Sequence, residues 1–474
     1  MSDALRQRLQ ALSQGATVAL NRRPVTGRSH PDQPGPDGTR MLEGGTALAS
    51  PTEDDLAGVG FRLEDGIWVR RVAAAGPGEA VAPQVLALLA GDLAWAAADP
   101  GSVWYFDTET TGLAGGTGTV PFLYGWGRQV AGALELEQWL LVDLGSEARL
   151  VERVLRRLAG ATGVVTFNGA TFDLPLVRAR AILNRREALW RAPVHLDLLP
   201  LVRRFFGHRL SRCSLSEVER RVLETWRSDD LPGAEVPERY RSFLRDGGVG
   251  HLIPVLRHNQ IDVGSLADLL VVLGRLASGS VQEPADHLGL ARFYEARGAS
   301  ASAHRTYATA LRVVPPPLDR AAARHHARLL RREGRPAEAS SLWRLLWERW
   351  RDLEAAEALC VDLERRVGDL EAALRLSEAA IEVAPPAVAE RFAHRIWRLE
   401  RRRARRAAAV PHRTSGGASP GADQPPPWSG WLPGGSSYEA WQTARRRRLR
   451  IPSRAEVPGS GGPGARPPRV ALPA

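Results

Sequence analysis

Residues 105–112 read YFDTETTG and place Asp107 and Glu109 one residue apart, directly after the apolar run VWYF. At i and i+2 of an extended segment the two side chains point to one face. Ionised carboxylates brought together away from water are costly, so a compensating charge is needed. Hard divalent cations supply it: they take oxygen ligands, and magnesium uses one or two carboxylates plus substrate phosphates. Two such ions about 4 Å apart can stabilise the attacking and leaving oxygens of a phosphodiester displacement. Two more carboxylates fit the same chemistry. Asp173 ends NGATFD (168–173), after a second apolar run, and HNQID (258–262) sets His258 and Asp262 four apart. That spacing puts His258 and Asp262 on one face of a predicted helix.

Composition removes several alternatives. The chain of 474 residues carries a formal charge of +11, and all 64 of its basic residues are arginine. Without lysine, the glycine-rich AGGTGT at 114–119 is no Walker A loop, and lysine-nucleophile or Schiff-base chemistry is excluded. The basic excess suits a polyanionic partner, or else solvated helix faces and a tail. Cys213 and Cys360 stand alone, which argues against a disulfide scaffold or thiolate zinc site and fits a reducing cytosol. No H-E-x-x-H or G-x-S-x-G occurs, against a metalloprotease or an α/β-hydrolase. The opening MSDALRQRLQALSQG lacks the apolar core of a secretory signal, and no apolar run reaches membrane-spanning length. The expectation is a cytoplasmic protein.

The elements that must position these groups form a mixed α/β pattern. Residues 1–55 are Gly/Pro-rich, and PDQPGPDG reads as a disordered segment. FRLEDGIWVRRV (61–72) alternates around Asp65-Gly66, a hairpin signal. A helix is expected over 82–98, then a three-stranded antiparallel meander over 103–141, then a serine-capped helix over 146–159. GVVTFNG (163–169) reads as a buried strand, followed by a helix from about 172, a strand VHLDLL (194–199) and a helix near 253–276. Strands alternating with helices after a meander imply a mixed sheet flanked by helices. Asp197 in VHLDLL could be a further carboxylate near the site but reads rather as a strand-end cap or an arginine partner, and His251 reads as structural.

From 284 to about 386 the pattern is all-helical and repeats. Gly298, Gly334 and Gly368 are spaced by 36 and 34 residues, and five residues after each stands Ala303, Ala339 or Ala373. Twelve after come Ala310, Leu346 and Ala380, and Pro315 and Pro385 close the first and third copies. This register resembles the tetratricopeptide repeat, a helix pair of about 34 residues. Trp343, Trp347 and Trp350 fall on one repeat helix and read as packing. Residues 401–474, with RRRARR and RRRRLR around a Pro/Gly/Ser stretch, read as a disordered arginine-rich tail.

DTETTGL (107–113), NGATFD (168–173) and H-N-x-x-D (258–262) resemble the three motifs of the DEDD (DnaQ-like) exonuclease superfamily, on a ribonuclease-H-like fold. The longer FDTETTGLAGGTGT, RCSLSEVE at 212–219 and the appended repeats look closest to the bacterial YprB-like predicted exonucleases. The resemblance covers about 56–280 and, more loosely, 284–386, within a helical repeat domain read as 284–400. It implies a two-metal 3′→5′ exonuclease using two Mg²⁺ or Mn²⁺ ions on single-stranded DNA or RNA. Asp107 would touch both ions, Glu109 and Asp262 the one that activates water, and Asp173 the second through water. Thr108, Thr110, Gly112 and Leu113 match positions that contact the terminal nucleotide, and His258 the general base. The histidine subclass spaces that histidine five residues before the aspartate; here it is four, which on a helix rotates it by about 100°. The repeats would recruit a protein partner, and no membrane role is implied. The competing readings are a non-catalytic nucleic-acid-binding scaffold and a structure-specific endonuclease.

Overall fold

The structure, a computed structural model, describes residues 51–112, 118–227 and 231–408. Expectations for Leu113, for the N-terminal residues 1–50 and for RRRRLR at 445–450 lie outside the described residues. The chain divides into two compact units at Thr306 and Tyr307.

The first unit is built on one seven-stranded sheet. After α1 (Glu53–Gly58), β1 (Phe61–Glu64) and β2 (Ile67–Ala75) form the hairpin expected from Asp65-Gly66. Both turn residues adopt positive φ (49° and 75°), the conformation a two-residue turn needs to match strand twist. The expected helix over 82–98 is two pieces: α2 (Pro83–Ala90) and a 3₁₀ turn (Leu93–Ala97). Gly91 in the left-handed region ends α2, and Asp92 caps the turn through Ala94 N–H.

The meander follows as β3 (Val103–Thr110), β4 (Pro121–Val130) and β5 (Ala133–Leu140). Helix α3 (Glu147–Gly160) starts without the expected serine cap, because Ser146 closes a 3₁₀ turn and its hydroxyl donates to the Asp143 carbonyl. Then come β6 (Gly163–Thr166), α4 (Asp173–Leu183) and β7 (His195–Asp197). β7 is shorter than VHLDLL, since Asp197 caps α5 (Leu198–Phe206) by accepting from Leu199 N–H. The short α6 (Leu215–Val218) runs into a π-helical turn (Glu219–Leu223), and α7 (Val236–Asp246), α8 (Ile253–Ala277) and α9 (Asp286–Ala296) complete the set.

The sheet order is β1-β2-β5-β4-β3-β6-β7, with β6 parallel to β3 and to β7 and the other pairs antiparallel. Alternation along β3 divides its residues between two cores. Trp104 and Phe106 pack with Leu150, Val154 and Leu158 of α3, while Val103 and Tyr105 join Val263, Leu266 and Leu270 of α8. β3 is therefore a central strand buried on both faces, and its C-terminal end carries the opening motif. Two glycines set how closely α8 lies on β4. A Cβ at Gly125 would stand 2.3 Å from Asn259 Oδ1, and one at Gly127 2.6 Å from Val263 Cγ1.

The second unit is helical: Leu318–Arg332, Pro336–Trp350, Leu353–Asp362, Leu370–Val383 and Pro386–Ala408. The repeat glycines, Gly298 in the first unit and Gly334 and Gly368 in the second, all have positive φ. The alanines aligned with them are buried, as are Ala310, Leu346 and Ala380, which gives the sequence periodicity a packing basis. Trp343 and Trp347 are core residues. RRRARR (401–406) lies on the last helix rather than in an unstructured tail. Its base is held to the preceding helices by ion pairs of Glu364 with Arg395 and Arg398.

Candidate active site

The C-terminal end of β3 brings the opening carboxylates to the sheet's centre. Asp107 lies opposite Gly125 of β4, and Glu109 opposite Leu123, just before a bulge that shifts Thr110 onto Pro121. Such a bulge re-aims side chains where a strand leaves the ladder. Glu109 and Asp173 are buried, at 9% and 3% exposure.

The second motif reaches the same place by a different route. After β6, Asn168 takes a positive φ and the chain turns sharply into α4. Asp197 holds that turn. Its carboxylate accepts from Asn168 N–H (2.8 Å) and Ala170 N–H (3.1 Å) while it caps α5. Asp173 is the first residue of α4, where the helix end favours negative charge. It accepts a 2.5 Å bond from the Thr108 hydroxyl. Behind it, Arg180 pairs with buried Glu147 and ties α4 to α3.

The third motif arrives on α8. Asn259, wholly buried, donates to Asp107 Oδ2 at 2.9 Å. Its carbonyl accepts from Gln138 Nε2 (3.0 Å), whose own carbonyl accepts from Arg70 at 2.7 Å. A row of side chains from β2 through β5 thus orients Asp107. One turn later Asp262 pairs with Arg227, and His258 Nε2 lies 3.7 Å from Asp262 Oδ2. Arg227 Nη1 stands 3.3 Å from His258 Nδ1; a guanidinium only donates, so Nδ1 accepts and the ring proton resides on Nε2.

The four carboxylates stand close enough to act on one another electrostatically. Burial pushes Asp107 well above its usual range, and Asp262, Asp173 and Glu109 each push it further, against the Asn259 hydrogen bond. Burial raises Glu109 to about 8; His258 and Arg227 oppose this, while Asp262 and Asp173 add to it. Asp173 is raised to about 6 by burial, with the Thr108 hydroxyl opposing and Asp197 adding. Arg227 is held above its ordinary value: burial disfavours its charge, but Glu219 and Asp262 outweigh that.

Among the described residues no three His, Cys, Asp or Glu side chains are arranged to hold a metal ion. Protein donors account for the present orientations: Asn259 engages Asp107, Thr108 engages Asp173 and Arg227 engages Asp262. The donor set nonetheless suits a hard dication, being four mutually repelling carboxylates. Two hydroxyls of the residues aligned with nucleotide contacts are engaged within the protein. The Thr108 hydroxyl donates to Asp173 and the Thr110 hydroxyl donates to the Gly112 carbonyl at 2.7 Å. His251 pairs with Asp246 on the surface, as its structural reading expects.

Residues 104–274, which span β3 through most of α8, match the RNase_H_2 family of the RNase_H superfamily. This segment is a ribonuclease-H-like domain. Over 188 residues the chain is 36% identical to a Bacillus subtilis (strain 168) protein named "Uncharacterized protein YprB", covering 39% of this chain. The match spans 45% of that relative, under half of its length. The chain is thus similar to YprB over part of each protein. Ribonuclease-H-like nucleases generally use divalent metals and bind nucleic acid. No helix among the described residues is long and apolar enough to cross a membrane.

Several contributors to the ribonuclease-H-like site escape sequence reading. Asn259 is a position of H-N-x-x-D, but its bond to Asp107 is not read from that spacing; Gly125 reads as part of a strand; Asp197 reads as a cap in preference to a carboxylate near the site. Glu219 and Arg227 carry no motif of their own, although RCSLSEVE ends on Glu219.

Proposed function

We propose that this protein is a metal-dependent nuclease that removes nucleotides from the 3′ end of single-stranded DNA or RNA. The observation that carries the reading is that Asp173 of α4 and Asp262 of α8 both push Asp107 and Glu109 of β3 further up, where burial already raises them. A protein without use for a cation there gains nothing from that repulsion. Asp107, Glu109, Asp173 and Asp262 would hold two Mg²⁺ or Mn²⁺ ions, which both accept carboxylate oxygens. When bound, the ions supply Lewis-acid stabilisation of phosphodiester displacement.

The chain's own groups do the rest. Asn259 and Thr108 orient Asp107 and Asp173, and His258 lies against Asp262, where it helps order the nucleophile's surroundings. The turn at 110–112 offers backbone groups to a strand end. The helical unit, tetratricopeptide-like in register, would recruit a protein partner, and the arginines of its last helix would add phosphate affinity that falls with salt.

The test is a matched panel of linear and circular DNA and RNA with Mn²⁺ or EDTA, run with the native chain and Asp107→Asn. Metal-dependent shortening of linear strands, lost in the variant, is expected. Equal cutting of circles would make it an endonuclease, and tight binding in EDTA with no cleavage in Mn²⁺ a scaffold.

A further inference from the structure

We propose that Glu219 and Arg227 form a fixed clasp that positions Asp262 and His258, making Arg227 a positioning residue of the proposed metal site. Arg227 stands outside the three motifs, yet its side chain is only 8% exposed and reaches three others. It meets buried Glu219 through two nitrogens, Nε at 2.5 Å and Nη2 more closely. Nη2 also pairs with Asp262 Oδ1, and Nη1 faces His258 Nδ1 at 3.3 Å. Glu219 is itself fixed, at 1% exposure, by the Ser265 hydroxyl of α8 at 2.5 Å.

The backbone supports this arrangement. The π-helical turn Glu219–Leu223 is stopped by Glu224 in the left-handed region, which reverses the chain so that Arg227 returns over Glu219. The bidentate pairing leaves the guanidinium neutralised and rigid. It therefore acts on Asp262 less as a competing cation than as an anchored donor. By holding Oδ1 it fixes the rotation of the carboxylate, and with it the direction that Oδ2 presents. Outer donors of this kind orient carboxylate ligands, and their loss typically weakens metal affinity 10–100-fold. The RCSLSEVE string thereby acquires a role: it delivers Glu219.

The inference rests on the nuclease reading, and its test separates the two. Removing Arg227 alone would strand buried Glu219, so the informative protein is the double variant Glu219→Gln/Arg227→Met, with Arg227→Lys as a second. Mn²⁺ affinity is measured calorimetrically on the full chain and its variants, whose folding is confirmed by cooperative melting without metal. The double variant is expected to bind Mn²⁺ roughly 10–100-fold more weakly, and the lysine variant to fall between, since it keeps charge without the fork. Unchanged affinity in a folded double variant would make the clasp purely structural and overturn the proposal. Tighter binding would overturn it in the other direction, by showing Arg227 to be a competitor for Asp262. If the native chain binds no Mn²⁺, the metal reading and this inference fall together. If it binds Mn²⁺ and cleaves nothing, only the nuclease reading falls.

Discussion

Asn259 donates a 2.9 Å hydrogen bond to Asp107 across 152 positions of sequence, and a glycine makes the approach possible. Gly125, opposite Asp107 on β4, is where a Cβ would overlap the Asn259 amide. The replacement Gly125→Ala should push α8 from the sheet or turn Asn259 away. Overpacking of this kind costs about 1–3 kcal/mol. Urea unfolding should register that loss, and the nuclease assay a drop in turnover. A variant of native stability and activity would show that the contact is dispensable.

Asp107→Asn should abolish metal-dependent cleavage, by at least about 100-fold, because a shared carboxylate ligand is lost. The same variant should melt no lower, and at pH 9 higher, than the native chain in EDTA, since one of four repelling carboxylates is gone. Melting scans with and without Mn²⁺ separate the two effects.

The raised carboxylates set the pH dependence of the metal-free protein. Glu109 (about 8 against an ordinary 4.5) and Asp173 (about 6 against 3.8) keep their protons in the folded state at pH values where the unfolded chain has lost them. The folded state then binds more protons, so the slope of unfolding free energy with pH is negative. Their stabilising contribution is complete below about pH 4 and drains away as pH rises through 6 and then 8. Each tenfold difference in proton affinity between the folded and unfolded chain is worth about 1.4 kcal/mol. Millimolar Mg²⁺ or Mn²⁺ should restore the loss at pH 8 by linkage. A flat profile between pH 5 and 8 in EDTA would contradict the buried cluster.

Arg180→Met strands Glu147, whose side chain is 3% exposed, between α3 and α4. Breaking a buried pair from one side costs about 3–5 kcal/mol, whereas replacing both partners with apolar residues is often neutral. Arg180→Met/Glu147→Leu should therefore recover most of the stability, as chemical denaturation would show. Because α4 presents Asp173, the single variant should also lose activity.

Much of this was legible without coordinates. The period-2 apolar runs, the Asp65-Gly66 turn and the glycine-punctuated helix pairs are local signals, set by steric preferences within a few residues. The acidic motifs were legible too, since carboxylates next to buried strands have few physical excuses. Boundaries were less so: α2 stops at Gly91 and β7 yields to α5 after three residues because caps, not apolar content, decide ends.

What the chain's order of residues determined by itself was the chemistry on offer: four carboxylates, a histidine, no lysine, and elements able to carry them. Tertiary structure alone decided which groups serve the carboxylates. Asn259 meets Asp107, Asp197 holds the turn before Asp173, and Glu219 with Arg227 reaches Asp262, each joining segments that no local spacing connects. The physical reason is that a buried charge is made tolerable by whatever donor the packed sheet and helices bring within about 3 Å, and that proximity is a property of the fold.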